Sequence, residues 1–416
     1  MARAIPADHI SYEDLYARWE QGHWRATEID FSTDREQWHG TLSDIERRGA
    51  LWTYSMFFHG EDSVTDNLSP FIDAAPREEQ KYFLATQQAD EARHAIMFGR
   101  FMKEVVGAGS GTADLLEATR PELTWGFRRV FSRLDRMAQE LRKDRSRPKL
   151  AQAVTLYHLV IEASLAQPGQ HFIDGSLGER DLLPGLREGV GHVSRDEQRH
   201  IAFGVKLIAD LVREDPECEP AIEELLREVL PITAAVFVPP GWDERLVTCF
   251  GFSLEDIFAH GADSLEGRLR AAGLDPERMR VGLSFDVPSE ERARRALALL
   301  RAGYLGPRNG HLQASPELTG LLFDGLRRQV NTRLAPGATV QWDFTDAEPW
   351  HLRIDNGATS VIQGRAEHAD LTFRCRLEDW LDLTAGRAAP WRALMSGRLR
   401  PSGNLRLLMR AGKLFV

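Results

Sequence analysis

A repeated pattern holds the residues of this chain that could do chemistry. Residues Gln87–Phe98 read QQADEARHAIMF, and further on Ser194–His200 read SRDEQRH. Both carry Asp-Glu-x-x-His, as Asp90, Glu91 and His94 and again as Asp196, Glu197 and His200. On an α-helix, residues three apart are neighbours on one face, so a Glu and a His at that spacing can hold one metal ion from the same side. Two such helices make half of a two-metal cage. The other half is on offer in Glu61, before the first copy, and Glu162, between the two. Two divalent cations would balance four glutamates, and two neutral imidazoles would complete the coordination.

The surroundings favour metal over a solvated helix face. Around Glu91 the same stripe runs through Leu84, His94, Phe98, Phe101 and Met102, and around Glu197 through Val193, His200, Ile201, Leu207 and Ile208. An unpaired ionised carboxylate in such a face costs several kcal/mol, and four would exceed a typical domain stability of about 5–15 kcal/mol. A lone Glu-x-x-His reads as a surface glutamate pairing with an arginine such as Arg93 or Arg199. Two copies, each preceded by Asp and each central in a long helix, reverse that reading. Asp62 and Asp66 are the alternatives to Glu61 as first ligand.

Long helices must position these residues. The spacing predicts one from Thr41 to the Ser69-Pro70 pair carrying Glu61, and a second opened by Pro76 and closed by Gly107 carrying Glu91 and His94. A third is expected over Leu123–Leu141, a fourth from Leu150 to Phe172 with Glu162, kinked by Pro168, and a fifth from Pro184 to Val212 with the second copy. Residues 1–40 read as a partly ordered lead-in, and residues 220–300 as shorter flanking helices. After Gly306 the pattern changes. SPELTGLLFDGLRRQVNTRL is an amphipathic helix capped by Ser315, and TVQWDF, HLRID, ATSVIQG and ADLTFRCR alternate like antiparallel strands. The expected fold is mainly α: a helical bundle over residues 1–306, its core about 41–212 with flanking helices to about 300, then a small α+β domain over residues 307–416.

Composition narrows the function. Net charge is −10, but residues from Arg308 onward hold 15 Lys and Arg against 11 Asp and Glu, leaving 37 against 51 in the larger part. An acidic body argues against a nucleic-acid partner. No apolar run approaches the roughly 18 residues of a membrane span, and no signal-peptide core opens the chain, so a cytoplasmic location is expected. The cysteines Cys218, Cys249 and Cys375 are far apart, which indicates neither a disulfide framework nor a zinc site.

The order Glu, Glu-x-x-His, Glu, Glu-x-x-His, with intervals of 30, 71 and 35 residues between successive glutamates, resembles the small subunit of ribonucleotide reductase and its ferritin-like dimetal carboxylate relatives. The resemblance spans roughly residues 30–270 and implies that Asp90 and Asp196 hydrogen-bond a ligand histidine across the cluster. Phe98 stands where the reductase carries its radical tyrosine. The chain is more similar to the ligand-binding oxidase branch, where a Val three residues after the first ligand is ether-linked to a Tyr five residues before the third glutamate. Val64 and Tyr157 occupy those positions. Five residues are about 500° on an α-helix, which sets Tyr157 about 140° from Glu162, so only a local bulge or a surrounding bundle brings it near.

The C-terminal residues 310–416 resemble the sterol-carrier-protein-like lipid-binding fold through WDFTDAEPWHLRIDNG, ADLTFRCRLEDWLDLTAGR and SGRLRPSGNLRLLMRAGKLF. Trp380, Leu381, Leu394, Met395, Leu407, Leu408 and Met409 are the candidate lining of an apolar tunnel there. Together the resemblances imply a dimetal oxidase or oxygenase, Mn/Fe or Fe/Fe, that activates O2 and acts on a fatty-acyl or other apolar lipid-like substrate. They are compatible with a homodimer and leave the electron donor unnamed. The alternatives are a radical-generating reductase subunit and a non-catalytic lipid-binding protein.

Overall fold

The structure is a computed structural model that describes residues 10–415 except 283, 284, 309, 311 and 356. The chain forms two compact units, Met1–Ile222 with Val236–Pro276, and Glu223–Ala235 with Glu277–Val416.

The first unit is helical. Helices α1 (Tyr12–Gln21) and α2 (Ser32–Gly40) lie in the stretch read as a partly ordered lead-in, of which residues 1–9 fall outside the described residues. The helices are tied down by buried polar groups. Asp34 is fully buried and accepts from the backbone N–H groups of Gly185 and Leu186 at 2.9 and 2.7 Å, satisfying donors at the start of a later helix. Helix α3 (Asp44–Asn67) starts at Ser43, whose N–H donates to Glu46 Oε2 at 2.7 Å. After the short α4 (Ser69–Ala74), α5 (Glu78–Phe101) runs into a π-helical turn, Met102–Val106, that ends on Gly107 at φ 75°. A left-handed residue suits glycine, which has no Cβ to clash.

Next come α6 (Thr112–Thr119), α7 (Trp125–Lys143) and α8 (Arg147–Val154). Helix α8 continues through a π-helix, Thr155–Ala166, into α9 (Gln167–Arg180). Pro168 falls in the first turn of α9, where its missing N–H frees a carbonyl four residues back, that of Ser164. Helix α13 (Leu254–Ala271) covers that oxygen: a Cβ on its Gly261 would lie 2.6 Å from Ser164 O. Helix α10 (Pro184–Glu214) is the longest of the described helices; α11 (Cys218–Thr233) follows, its residues from Glu223 onward clustering with the second unit, and α12 (Arg245–Thr248) and α13 belong again to the first.

The second unit holds α14 (Ser289–Arg301), α15 (Pro316–Gln329) and a sheet of β1 (Thr339–Phe344), β2 (Trp350–Asp355), β3 (Ala358–Gln363), β4 (Leu371–Cys375) and β5 (Arg400–Gly403). Helices α16 (Leu377–Thr384), α17 (Pro390–Met395) and α18 (Leu405–Leu414) complete it. Residues 277–306, read from sequence with the bundle, cluster with this unit. The Arg387 guanidinium donates to the carbonyls of Gly303 and Gly306 at 3.1 Å each, and the Tyr304 hydroxyl lies 2.8 Å from Thr319 Oγ1.

Sheet order is β3-β2-β1-β4-β5. Neighbours are antiparallel except β1 and β4, which run parallel in the register Val340↔Leu371 to Phe344↔Cys375. Alternation fixed the strands but not their direction, so the expectation of antiparallel pairing is corrected for β4. Strand β5, RPSG, escaped sequence reading because Pro and Gly signal a turn, and an edge strand tolerates them. Phe323 of α15 stacks on Trp350 and Trp380, with ring centroids 5.1 and 4.6 Å apart. The expected tunnel lining therefore divides. Trp380, Leu381 and Leu407 are buried in this core and Leu408 half-buried, whereas Leu394, Met395 and Met409 face solvent.

Candidate metal centre

Helices α3, α5 and α10 and the π-helix bring the six proposed ligands into one buried cluster. Glu61, Glu91, His94 and Glu197 form one group of donor atoms, and Glu91, Glu162, Glu197 and His200 a second, each with its atoms within 4.8 Å of one another. Glu91 and Glu197 belong to both groups, so each could serve as a ligand to either ion of a pair. All six residues are at most 4% exposed. Asp62 and Asp66, the sequence alternatives to Glu61, are in neither group.

Each histidine turns one nitrogen inward and the other to an aspartate of the opposite helix. His94 Nδ1 lies 3.3 Å from Glu61 Oε2 and 3.4 Å from Glu91 Oε2, while His94 Nε2 lies 3.2 Å from Asp196 Oδ2. His200 Nδ1 lies 3.1 Å from Glu91 Oε1 and 3.5 Å from Glu162 Oε1, and its Nε2 lies 3.0 Å from Asp90 Oδ2. A carboxylate on the outer nitrogen keeps the proton there and leaves Nδ1 free as a metal donor.

Sequence reading missed what holds the aspartates. Trp24 Nε1–H donates to Asp196 Oδ2 and Trp19 Nε1–H to Asp90 Oδ1, both at 2.8 Å. Arg199 spans the pair, with Nη2 at 2.6 Å from Asp90 Oδ2 and 2.8 Å from Asp196 Oδ1, and Arg93 also bonds Asp90. Thus Arg93 and Arg199 serve the aspartates rather than the glutamates. The only available signal was compositional, the several tryptophans of the lead-in, of which Trp19 and Trp24 are the two that reach the aspartates.

A third layer surrounds Glu162. The Gln87 side-chain amide donates to Glu162 Oε1 at 2.8 Å and to the Tyr157 hydroxyl at 3.1 Å. A carboxylate only accepts, so the Gln87 NH2 faces it and the amide oxygen faces His158 Nε2 at 3.1 Å, making that nitrogen the N–H donor. Gly204 of α10 makes room for His158: a Cβ there would lie 2.3 Å from the His158 Cβ. Tyr157 in turn donates to Glu91 Oε1 at 2.6 Å. It reaches the site because the chain from Thr155 to Ala166 is π-helical, with the Gln167 N–H bonding the Glu162 carbonyl five residues back. In that geometry residues five apart lie much nearer one face than on an α-helix, which narrows the offset of about 140°.

Electrostatics show a site short of positive charge. Burial pushes Glu61 up to about 8 and Glu162 up to about 7, and Glu197 is raised well above the usual range by burial and by the charges of Glu162, Glu91 and Glu61. Burial also opposes ionisation of Glu91, but His200 and His94 outweigh it and hold it well below normal. Glu162 Oε2 and Glu197 Oε2 are buried with no hydrogen-bond partner among the described residues. Burying such atoms unpaired is costly. Carboxylate oxygens and imidazole nitrogens are the donor set of manganese and iron, so the residues fit a pair of these ions.

Above the glutamates lies a narrow cavity of about 60 Å³. Met56, Phe57, Val64, Phe127, Ile161 and Val236 form apolar walls, Gly60, Phe131, Leu165 and Phe237 line the partly exposed side, and Glu61, Glu91, Glu162, Glu197 and Tyr157 line it as well. Val64 and Tyr157 therefore face the same space. Phe98 does not line this cavity; it is fully buried and stacks on Phe57 at 5.4 Å.

A family model described as ribonucleotide reductase, small chain, matches residues 3–237. The chain belongs to the ribonucleotide reductase small-chain family. A second model, the SCP-2 sterol transfer family, matches residues 328–416. Among solved structures, an R2-like ligand-binding oxidase from Sulfolobus acidocaldarius is 26% identical with a TM-score of 0.53, covering 65% of this chain and 94% of that one. Two variants of an R2-like ligand-binding oxidase with reconstituted Mn/Fe cofactor are each 25% identical, with TM-scores of 0.55 and 0.53. They cover 63% and 64% of this chain and 93% and 94% of those. This small-chain relative thus has a ferritin-like dimetal bundle, a cluster able to bind two metal ions and an SCP-2 domain, which together support a dimetal oxidase. No helix of the described residues is long and apolar enough to cross a membrane.

Proposed function

We propose that the protein is an O2-activating oxidase or oxygenase, Mn/Fe or Fe/Fe, acting on a fatty-acyl or other apolar lipid-like molecule. The observation that carries this is the cavity, whose apolar walls and four glutamates share one space. Glu61, Glu91, His94, Glu162, Glu197 and His200 would hold the metals. Bound there, the pair supplies an O2-binding centre and electrons for its reduction.

The chain's own residues do the rest. The apolar walls exclude water and align the reacting end of a ligand. Asp90 and Asp196, held by Trp19, Trp24 and Arg199, fix the proton on the outer nitrogen of each histidine. Gln87 and Glu91 set the Tyr157 hydroxyl with its proton directed at Glu91 Oε1. Val64 and Tyr157 are the pair for an ether cross-link: a bond forms between the phenolic oxygen and Val64 Cβ, each side chain losing one hydrogen, and the two electrons and two protons pass to O2. The C-terminal SCP-2 module would bind or present the apolar molecule, raising its local concentration for the helical bundle.

Aerobic loading with Mn and Fe, or Fe alone, tests the reading. O2 uptake with charge-transfer absorption is expected, as is oxidation of an added fatty acid detected by mass spectrometry. Absence of both O2 uptake and absorption in metal-loaded protein overturns it.

A further inference from the structure

The C-terminal unit exposes large apolar side chains in one short stretch. Leu405 is 72% exposed, Met409 and Met395 84% each, and Trp391 61%. Isolated exposed apolar residues need no explanation, but these lie within α17 and α18, the elements that precede and follow the edge strand β5 in the chain. From Arg387 to Val416 the sequence has seven basic residues and no acidic one. Arg387 is spent on Asp382 and Arg398 lies 3.5 Å from Asp379. The other five, Arg392, Arg400, Arg406, Arg410 and Lys413, have no carboxylate partner among the described residues.

Helix α18 shows how the two properties combine. Leu407 and Leu414 are buried and seat it on its own unit, which turns Leu405 and Met409 outward. At about 100° per residue, Arg406, Arg410 and Lys413 lie about 80–140° around from Leu405, along one flank of the outward apolar strip. A helix lying in a lipid interface has this cross-section, with apolar residues down and cations at headgroup level. In α17 the Arg392 guanidinium lies 5.1 Å from the centre of the Trp391 ring, an amphipathic pair of the kind that sits at such interfaces.

We propose that α17 and α18 dock the protein on an anionic lipid surface, with Trp391, Met395, Leu405 and Met409 entering the interface and the five unpaired cations meeting the headgroups. Charge complementarity selects this occupant: pairing of this face with the same face of a second copy would bring the same cations against themselves, whereas an anionic bilayer neutralises them. The inference stands apart from the metal centre and does not need it.

Sedimentation of the full chain with lipid vesicles tests it. Binding is expected to vesicles of phosphatidylcholine mixed with phosphatidylglycerol, to fall with added salt, and to be weak on phosphatidylcholine alone. Arg406→Gln with Arg410→Gln should weaken it about tenfold or more. Leu405→Ser with Met409→Ser should weaken it while leaving the melting temperature unchanged, because both side chains are exposed. Lipids carrying a quencher should dim the fluorescence of the parent protein and dim that of Trp391→Phe less. The proposal is overturned by absence of binding to anionic vesicles at low salt, by binding that ignores both double variants, or by a dimer in solution that Met409→Ser dissociates.

Discussion

The Tyr157 hydroxyl donates to Glu91 Oε1 at 2.6 Å, joining the π-helix between α8 and α9 to the middle of α5 at the floor of the cavity. The same hydroxyl accepts from Gln87, so both its proton and its lone pair have assigned partners. Burial and the charges of Glu91, Glu162 and Glu197 raise its pKa well above normal, so Tyr157 stays a neutral phenol. Its proton can leave together with an electron rather than ahead of one.

Tyr157→Phe keeps the ring and removes the reacting oxygen. Metal content after loading should match the parent protein. Intact mass should show the loss of two hydrogens in the parent, localised by peptide mapping to Val64 and Tyr157, and no loss in the variant. A parent whose mass is unchanged after aerobic loading would remove the cross-link from this account.

Trp24 acts on the cluster through Asp196 and His94. Asp196 is held below the normal carboxylate range: burial opposes this, but His94, Arg199 and Trp24 outweigh it. Asp196→Asn removes the carboxylate that fixes the His94 proton, and metal affinity should fall about 10–100-fold. Competition with a chromophoric chelator measures it. Trp24→Phe, which leaves the carboxylate in place, should give a smaller loss in the same direction.

Glu197 is raised by burial and by three neighbouring carboxylates, so without metal it adds strain rather than stability. Glu197→Gln should therefore melt higher than the parent when both are metal-free. The order should reverse on adding metal, since the parent gains stability from binding and the variant loses a ligand shared by both groups. Calorimetry with and without chelator reads both. A variant that melts lower in both states would show that the carboxylate is paired in the metal-free fold.

His158 gives a pH dependence of known sign. Burial pushes its pKa down to about 3 in the folded protein. The unfolded chain binds a proton near pH 6.5, so the stabilisation is fully present above that value and is lost as pH falls from there toward 3. Metal-free parent protein should lose more stability between pH 7 and pH 5 than His158→Gln does, as measured by urea unfolding at each pH. An equal loss in both would place the acid sensitivity elsewhere.

Some features were legible in the amino-acid order because their causes are local. Ser315 as a cap, Pro184 at a helix start and Gly107 at a helix end each act within one turn, and the bounds they predicted lie near the observed ones. The two copies of Asp-Glu-x-x-His are also local, since a three-residue interval on a helix fixes which side chains share a face. What lay beyond reach depends on distant chain. Trp19 bonds Asp90 across 71 residues and Trp24 bonds Asp196 across 172, and no spacing rule connects them.

The π-helix is the sharper case. Its wider turn alters the rotation on which every α-helical argument relies. Regular α-helical spacing set Tyr157 about 140° from Glu162 unless a local bulge or a surrounding bundle intervened, and the π-helix is that bulge. Likewise, alternation marked β4 as a strand, but only packing set its direction beside β1. By itself the sequence determined which side chains could ligate metal and which helices carry them, because those are properties of one turn. Which pair meets across the cavity, what holds each aspartate, and which apolar residues are left facing solvent were decided by how distant helices and strands packed.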